Sequence, residues 1–239
     1  LTPAGELLAR EGARLVGDVE STVRRLREEF ANAPKEIRVD VSRSISLAYL
    51  PGFFHVNLKQ LVGVTYRVRA RASQEIILGL EADEVDVGVF CPSGRLPPTL
   101  RVVRRFTDVF VAIAAAESAR EFAALGSERE RRVWMSKQRW LLFDGKTRTG
   151  SLQRKWLGKS SGEAELSIEL DSFDLIVNLV ALGLGVSLVP ARTLALYPNK
   201  RGIQRIRLGK TFDRELAVVI RNRDPVPKQV AGFVENILF

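Results

Sequence analysis

The chain is poor in the residues that most often carry chemistry: its 239 residues include one cysteine, Cys91, one histidine, His55, and one methionine. A lone cysteine forbids an internal disulfide and a thiolate metal cage, and a lone histidine forbids a multi-histidine metal site. No apolar run approaches the roughly 20 residues a bilayer helix requires. The opening Leu1-Thr2-Pro3-Ala4-Gly5-Glu6 has neither the charged start nor the apolar middle of an export signal. A soluble, cytoplasmic chain without membrane contact is the expectation. Phosphate-gripping loops are missing too. Gly158-Lys159-Ser160 lacks the earlier glycine at the required spacing. Gly183-Leu184-Gly185 follows a helical pattern and precedes a strand, the reverse of the order that cradles a pyrophosphate. A serine triad needs a histidine beside its nucleophile. His55 sits instead in the largely apolar Phe53-Phe54-His55-Val56-Asn57, and Cys91 reads as a small buried residue. The sequence therefore predicts no catalytic constellation, no cofactor and no metal.

What is present is core-forming: 46% of the residues are hydrophobic and 27% charged, outside the range of disordered chains. Lysine and arginine number 37 against 28 aspartates and glutamates, a net charge of +9 spread over the whole length. That surplus favours small anionic ligands or polyanions. From Pro3 to about Ala31 the apolar positions Leu8, Leu15, Val19, Val23, Leu26 and Phe30 recur at helical spacing, with Thr2 as cap and Ala33-Pro34 as stop. This predicts one long amphipathic helix whose stripe pairs with another helix or, alternatively, packs against its own domain.

From Glu36 the texture alternates. Strand Ile37–Val41, helix Ile45–Lys59, strand Val64–Arg69, a helix from Gln74 to Glu81 capped by Ser73, and strand Val85–Phe90 give a β-α-β-α-β order, hence a parallel sheet with right-handed crossovers. After the turn-rich Cys91–Pro98, Leu100–Phe106 and Val109–Ala115 read as two strands. The second half repeats the alternation: strand Arg139–Phe143, helix Thr149–Gly158, strand Ala164–Leu170, helix Phe173–Leu182 ended by Gly183, strand Val186–Val189, a short helix near Thr193, strand Ile203–Arg207, strand Leu216–Ile220 and helix Val226–Leu238. Two α/β halves follow. The dense run Glu128-Arg129-Glu130-Arg131-Arg132 reads as a solvated helical face, with a contact surface as the alternative.

Ligands of open parallel sheets bind outside the carboxyl ends of strands, where helix N-terminal amides and hydroxyls grip anions or polar groups. That places the candidate polar turns at Ser42-Arg43-Ser44, Ser73-Gln74 and Asp171-Ser172, although serine and aspartate there also serve as ordinary N-caps. Arg43 beside those hydroxyls favours a carboxylate or another anion if it lines the site and contributes nothing if it points to solvent.

Four stretches in register resemble one family, the LysR-type transcriptional regulators. They are Leu1–Glu6 leading into the long helix; Glu36–Val39 with Ser42, Ser44 and Tyr49-Leu50-Pro51; Glu75–Phe90 ending Asp86-Val87-Gly88-Val89; and Leu179–Pro190, the closest match. The resemblance implies an α/β, type II periplasmic-binding-protein-like regulatory domain of two α/β subdomains, preceded by a linker helix. The linker helix is 1–33, subdomain I is 36–115 with 216–239, and subdomain II is 116–210. It implies a small-molecule effector in the cleft between the subdomains. Carried over by position, Ser42, Ser44, Ser73 and Gln74 fall on one side, and Phe143, Asp144, Asp171, Ser172 and Phe173 on the other. It also implies a homodimer or homotetramer, with DNA contacted only through an N-terminal winged helix-turn-helix that would precede Leu1. Arg24, Arg25 and Arg27 would add nonspecific phosphate attraction. A free-standing solute-binding protein and an enzyme on the same scaffold are the alternatives.

Overall fold

Alternating Val and Ile residues at 37, 39 and 41 commit the first β-rich run to a buried strand, and a computed structural model of the chain places it at the centre of a parallel sheet. The structure describes residues 1–30, 35–57, 63–161, 166–197, 202–209 and 211–237. The expected helix stop at Ala33-Pro34 and the ends at Lys59, Ala164 and Leu238 lie outside them, as do the side chains of Arg24, Arg25 and Arg27. The chain packs as two units, each with its own core. The first comprises Leu1–Ser46, Leu50–Phe106 and Leu216–Phe239; the second comprises Leu47–Tyr49 and Thr107–Glu215.

In the first unit, β1 (Lys35–Ser42), α2 (Arg43–Asn57), β2 (Val64–Arg71), α3 (Ser73–Glu81) and β3 (Val87–Phe90) follow α1 (Pro3–Phe30). β1 runs parallel to β2 in the register Val39↔Val68 and parallel to β3 in the register Val39↔Val87, so the order is β2-β1-β3. The returning β9 (Asp213–Arg221) closes this edge antiparallel to β3, with Gly88 opposite Val219. Its core is aliphatic and aromatic: Ile76 and Leu80 of α3 pack with Phe90, Leu100, Ala217 and Val219. α8 (Lys228–Asn236) lays Phe233 against Phe53 and Tyr66, at ring separations of 4.8 and 5.7 Å. Buried parallel strands read as near-continuous apolar runs, which explains why Val85–Phe90 is legible in the sequence.

α1 touches this unit through a narrow polar face. Gly17 approaches the carbonyl of Ala82 too closely for a side chain. Asp18 pairs with Arg221 at 2.9 Å, and the buried Ser21 accepts a bond from Arg223. Its apolar stripe is elsewhere: Leu8, Leu15, Val19, Val23 and Leu26 are all exposed.

β4 (Leu100–Ala115) starts in the first unit and continues into the second, where its stretch from Phe110 pairs antiparallel with both β7 (Ser187–Pro190) and β8 (Ile203–Ile206); there too β5 (Trp140–Phe143) pairs parallel with β6 (Leu166–Leu170). α4 (Ala116–Ala123), α5 (Glu128–Lys137), α6 (Arg148–Ser161), α7 (Phe173–Ala181) and a 3-10 segment, Ala191–Leu196, complete it. Trp140, Leu141, Ile176, Val177, Val180 and Leu188 are fully buried at its centre. α7 ends as expected: Gly183 takes φ +77°, its N–H donates to Val180 O, and the N–H of Leu184 donates to Leu179 O. This Schellman arrangement needs a residue without a Cβ penalty.

Three expectations are corrected. β4 is one strand of 16 residues rather than two. The apparent break at Thr107-Asp108 is bridged because the buried Asp108 is satisfied by side chains distant in sequence. Ser73 does not cap α3: Ala72 is the N-cap residue, and its N–H donates to Glu75 Oε2 at 2.7 Å. Finally, α4 is an additional helix where the sequence pattern predicts no element.

Candidate functional site

The strand order β2-β1-β3 makes β1 the topological switch point of the first unit, because the helix leaving β1 leads to a strand on one side while β3 lies on the other. The carboxyl end of such a strand is the expected ligand position. Ser42 ends β1 and Arg43 begins α2 there. The hydroxyls of Ser42 and Ser44 lie 3.3 Å apart and both side chains are buried, whereas Arg43 is exposed and pairs with no carboxylate among the described residues. One carboxyl end therefore carries two adjacent hydroxyls, the opening turn of a helix and an uncommitted guanidinium. At the neighbouring β2 end, Ser73 is half-buried and Gln74 exposed.

Below this end the sheet is held by charge. Arg38 donates to both carboxylate oxygens of Asp86 at 2.9 and 3.0 Å, and the fully buried Asp40 pairs with Arg69 at 3.0 Å and Arg71 at 3.4 Å. Burial opposes the charge on Arg38, but the bonds and field of Asp86 outweigh it and raise its pKa. The strand aspartate noted in the sequence is thus committed to a structural pair.

In the second unit the candidate residues divide into two kinds. Phe143 and Phe173 are buried, stack on one another at 4.6 Å, and belong to the core. Asp144 begins a tight turn: its Oδ1 accepts from Lys146 N–H, and its carbonyl accepts from the Thr147 hydroxyl at 2.6 Å. Gly150 packs so closely on the Asp144 carbonyl that any Cβ there would collide with it. Asp171 is exposed, and Ser172 caps α7 by accepting from Leu175 N–H.

Beside these lies a buried polar cluster that sequence reasoning missed. Asp108 Oδ1 accepts from the Tyr49 hydroxyl at 2.6 Å. Its Oδ2 accepts from Arg214 Nε at 2.9 Å and pairs with Nη2 at 2.8 Å. Arg214 Nη1 donates to Thr149 Oγ1 at 2.7 Å, and the guanidinium lies 5.2 Å from the Phe110 ring. Asp108 and Arg214 are 1% and 2% exposed. Burial, then the negative charge of Asp108 and the bond to it, raise the Tyr49 pKa and keep the phenol protonated. Gln153, fully buried, accepts from Phe143 N–H at 2.7 Å and donates to Leu188 O at 2.6 Å, tying α6 to β5 and β7. The one signal in the sequence is a charge set among apolar strand residues, Asp108 within 106–115 and Arg214 just before 216–220. Among the described residues no group of acidic, histidine or cysteine side chains is placed to hold a metal. Cys91 is buried and His55 is exposed at the end of α2.

This is an α/β architecture with polar helix starts at the carboxyl ends of parallel strands, the position where open α/β sheets in general take their ligands. The family described as LysR substrate binding domain matches residues 31–238, and the chain belongs to it. Its fold is type II periplasmic-binding-protein-like. Among solved structures, a mutant OxyR of Corynebacterium glutamicum is similar at 16% identity and TM-score 0.70, covering 99% of this chain and 73% of that one. Full-length CbnR complexed with its target DNA is similar at 19% identity and TM-score 0.69, covering 99% and 81%. A mutant OxyR2 regulatory domain of Vibrio vulnificus is similar at 16% identity and TM-score 0.67, covering 87% and 95%. A search of curated proteins finds no match.

Proposed function

We propose that the chain is the effector-sensing and oligomerisation part of a LysR-type transcriptional regulator and binds a small anionic metabolite at the carboxyl end of β1. Family membership supports a ligand-sensing regulator rather than an enzyme. The observation that carries the site is the pair of buried hydroxyls, Ser42 and Ser44, at the switch-point end of β1 beside the exposed Arg43. Hydroxyls and helix N-terminal amides there would grip a carboxylate, and Arg43 would add charge-assisted recognition. Ser73 and Gln74 are the further polar contacts of this reading at that end of the sheet, and the resemblance to the family adds Phe143, Asp144, Asp171, Ser172 and Phe173 as candidates in the second unit.

Effector binding regulates only if the ligand prefers one arrangement of the regulator over another, since equal affinity moves no equilibrium. The exposed stripe of α1 supports a role in pairing subunits. On this reading DNA is read by a winged helix-turn-helix that these residues do not include; CbnR, similar in fold, is solved in complex with its target DNA. The test is a thermal-shift and calorimetric screen of small mono- and dicarboxylates, followed by Arg43→Glu and Ser44→Ala. A hit that binds the parent and weakens at least tenfold in both variants supports the site. Equal affinity in both variants contradicts it.

A further inference from the structure

α5 borders a second feature, which shares no residue with the candidate site. Arg129, Val133 and Lys137 recur every fourth residue on one face, and with Leu125, Glu130 and Trp134 they line a cavity of about 340 Å³. The floor is apolar, built on Leu125, Val133 and Trp134. Val133 is 46% exposed, although it sits mid-helix, and Trp134 packs edge-on to Phe122 at 5.0 Å. Two cationic residues share the lining, their backbone positions about 12 Å apart along the helix at 1.5 Å per residue. Arg129 and Lys137 are exposed and pair with no carboxylate among the described residues. The one acid of the wall is otherwise engaged. Glu130 Oε2 accepts the N–H groups of Gly126 and Ser127 at 2.9 Å each, bonds that hold its pKa below the usual range. One further donor is left over: the indole Nε1 of Trp134 is buried and has no partner among the described residues. A buried N–H without an acceptor is costly and rare in folded proteins.

We propose that this cavity is a binding site for a small molecule with a flat apolar body and one carboxylate, separate from the effector site. The body covers Val133 and Trp134, and the carboxylate is held by Arg129 or Lys137. Its size suits a one- or two-ring acid, and the two cations favour an anion over a neutral molecule of the same shape. The proposal is independent of the effector reading, since none of the residues is shared.

The experiment titrates the ¹⁵N-labelled chain with 2-naphthoate and, separately, with uncharged 2-naphthylmethanol. The three tryptophan indole signals are followed, and that of Trp134 is assigned from Trp134→Phe. Saturable movement of the Trp134 signal by naphthoate is expected, with at least tenfold weaker binding of the neutral analogue. The exposed double variant Arg129→Glu/Lys137→Glu should lose at least tenfold in naphthoate affinity while its other two indole signals stay in place. A Trp134 signal that naphthoate leaves unmoved overturns the proposal, as does equal affinity for the two probes or an unchanged double variant. So does a chain that self-associates through this face, seen as a dimer that Val133→Glu converts to monomer.

Discussion

At the scale of single residues, the buried pair Arg214–Asp108 separates what a sequence can announce from what only the fold discloses. The partners are 106 positions apart and each sits among apolar neighbours, so nothing local signals the pairing. Their charges are tolerated because every direction is answered: Tyr49 and Arg214 satisfy the carboxylate, and Asp108 and Thr149 satisfy the guanidinium. Arg214→Ala leaves Asp108 buried and uncompensated, and chemical denaturation should show a loss of about 3–5 kcal/mol. Joint replacement by Asp108→Leu/Arg214→Met should cost much less than the two single changes added together. Tyr49 gives a pH signature. Its folded-state pKa is raised, so its contribution is complete below about 10, where the unfolded phenol ionises, and is lost as pH rises above that value. The stability difference between the parent and Tyr49→Phe, measured by urea unfolding from pH 7 to 11, should therefore shrink at the alkaline end. Growth of that difference with pH would contradict the assignment.

At the scale of elements, local signals are legible where they are self-sufficient. The stripe of α1, the alternation of β1 and β2, and the Gly183 stop of α7 all follow from short-range rules and recur in the structure. Legibility fails where tertiary contacts override those rules. Thr107-Asp108 reads as a break within β4, and the strand runs through it because Asp108 finds buried partners. The start of α3 misleads differently: Ser73 is a good cap by type, but Glu75 reaches back to the N–H of Ala72, so the helix begins one residue earlier. α5 holds an overlooked local signature. Ser127 and Glu130 have the spacing of a capping box, and Ser127 Oγ accepts from Glu130 N–H while Glu130 accepts from Ser127 N–H. Ser127→Ala should cost about 1 kcal/mol in thermal or urea unfolding. The Glu130 pKa is lowered by those bonds, so its contribution is present above the ordinary glutamate range and fades as pH falls through it. The Glu130→Gln penalty should accordingly be larger at pH 7 than at pH 3; a constant penalty would argue against the carboxylate's part in the cap.

At the scale of the whole molecule, the α/β class is legible because it depends on element order, and the family because four stretches of sequence keep their register along the chain. Of the candidate site, only the polar turns can be placed from the sequence. Ser42 and Ser44 can be named from their position after a strand, but the burial of Phe143 and Phe173 depends on packing between elements distant in the chain. α1 has a consequence at this scale. It docks on its own unit through Gly17, Asp18 and Ser21, which leaves Leu8, Leu15, Val19, Val23 and Leu26 facing solvent. Light scattering should report an oligomer that Leu15→Glu/Val19→Glu dissociates at equal concentration; a parent chain that is already monomeric removes α1 from subunit pairing.

The central claim is that this chain senses a small anion at the carboxyl end of β1. Native mass spectrometry of gently purified protein, before and after incubation with a fractionated metabolite extract from its own host, addresses it most directly. One small acid bound per chain, lost from Arg43→Glu and weakened in Ser44→Ala, is the result this account predicts. Chains that take up no extract component, or that retain the same acid in both variants, would contradict it.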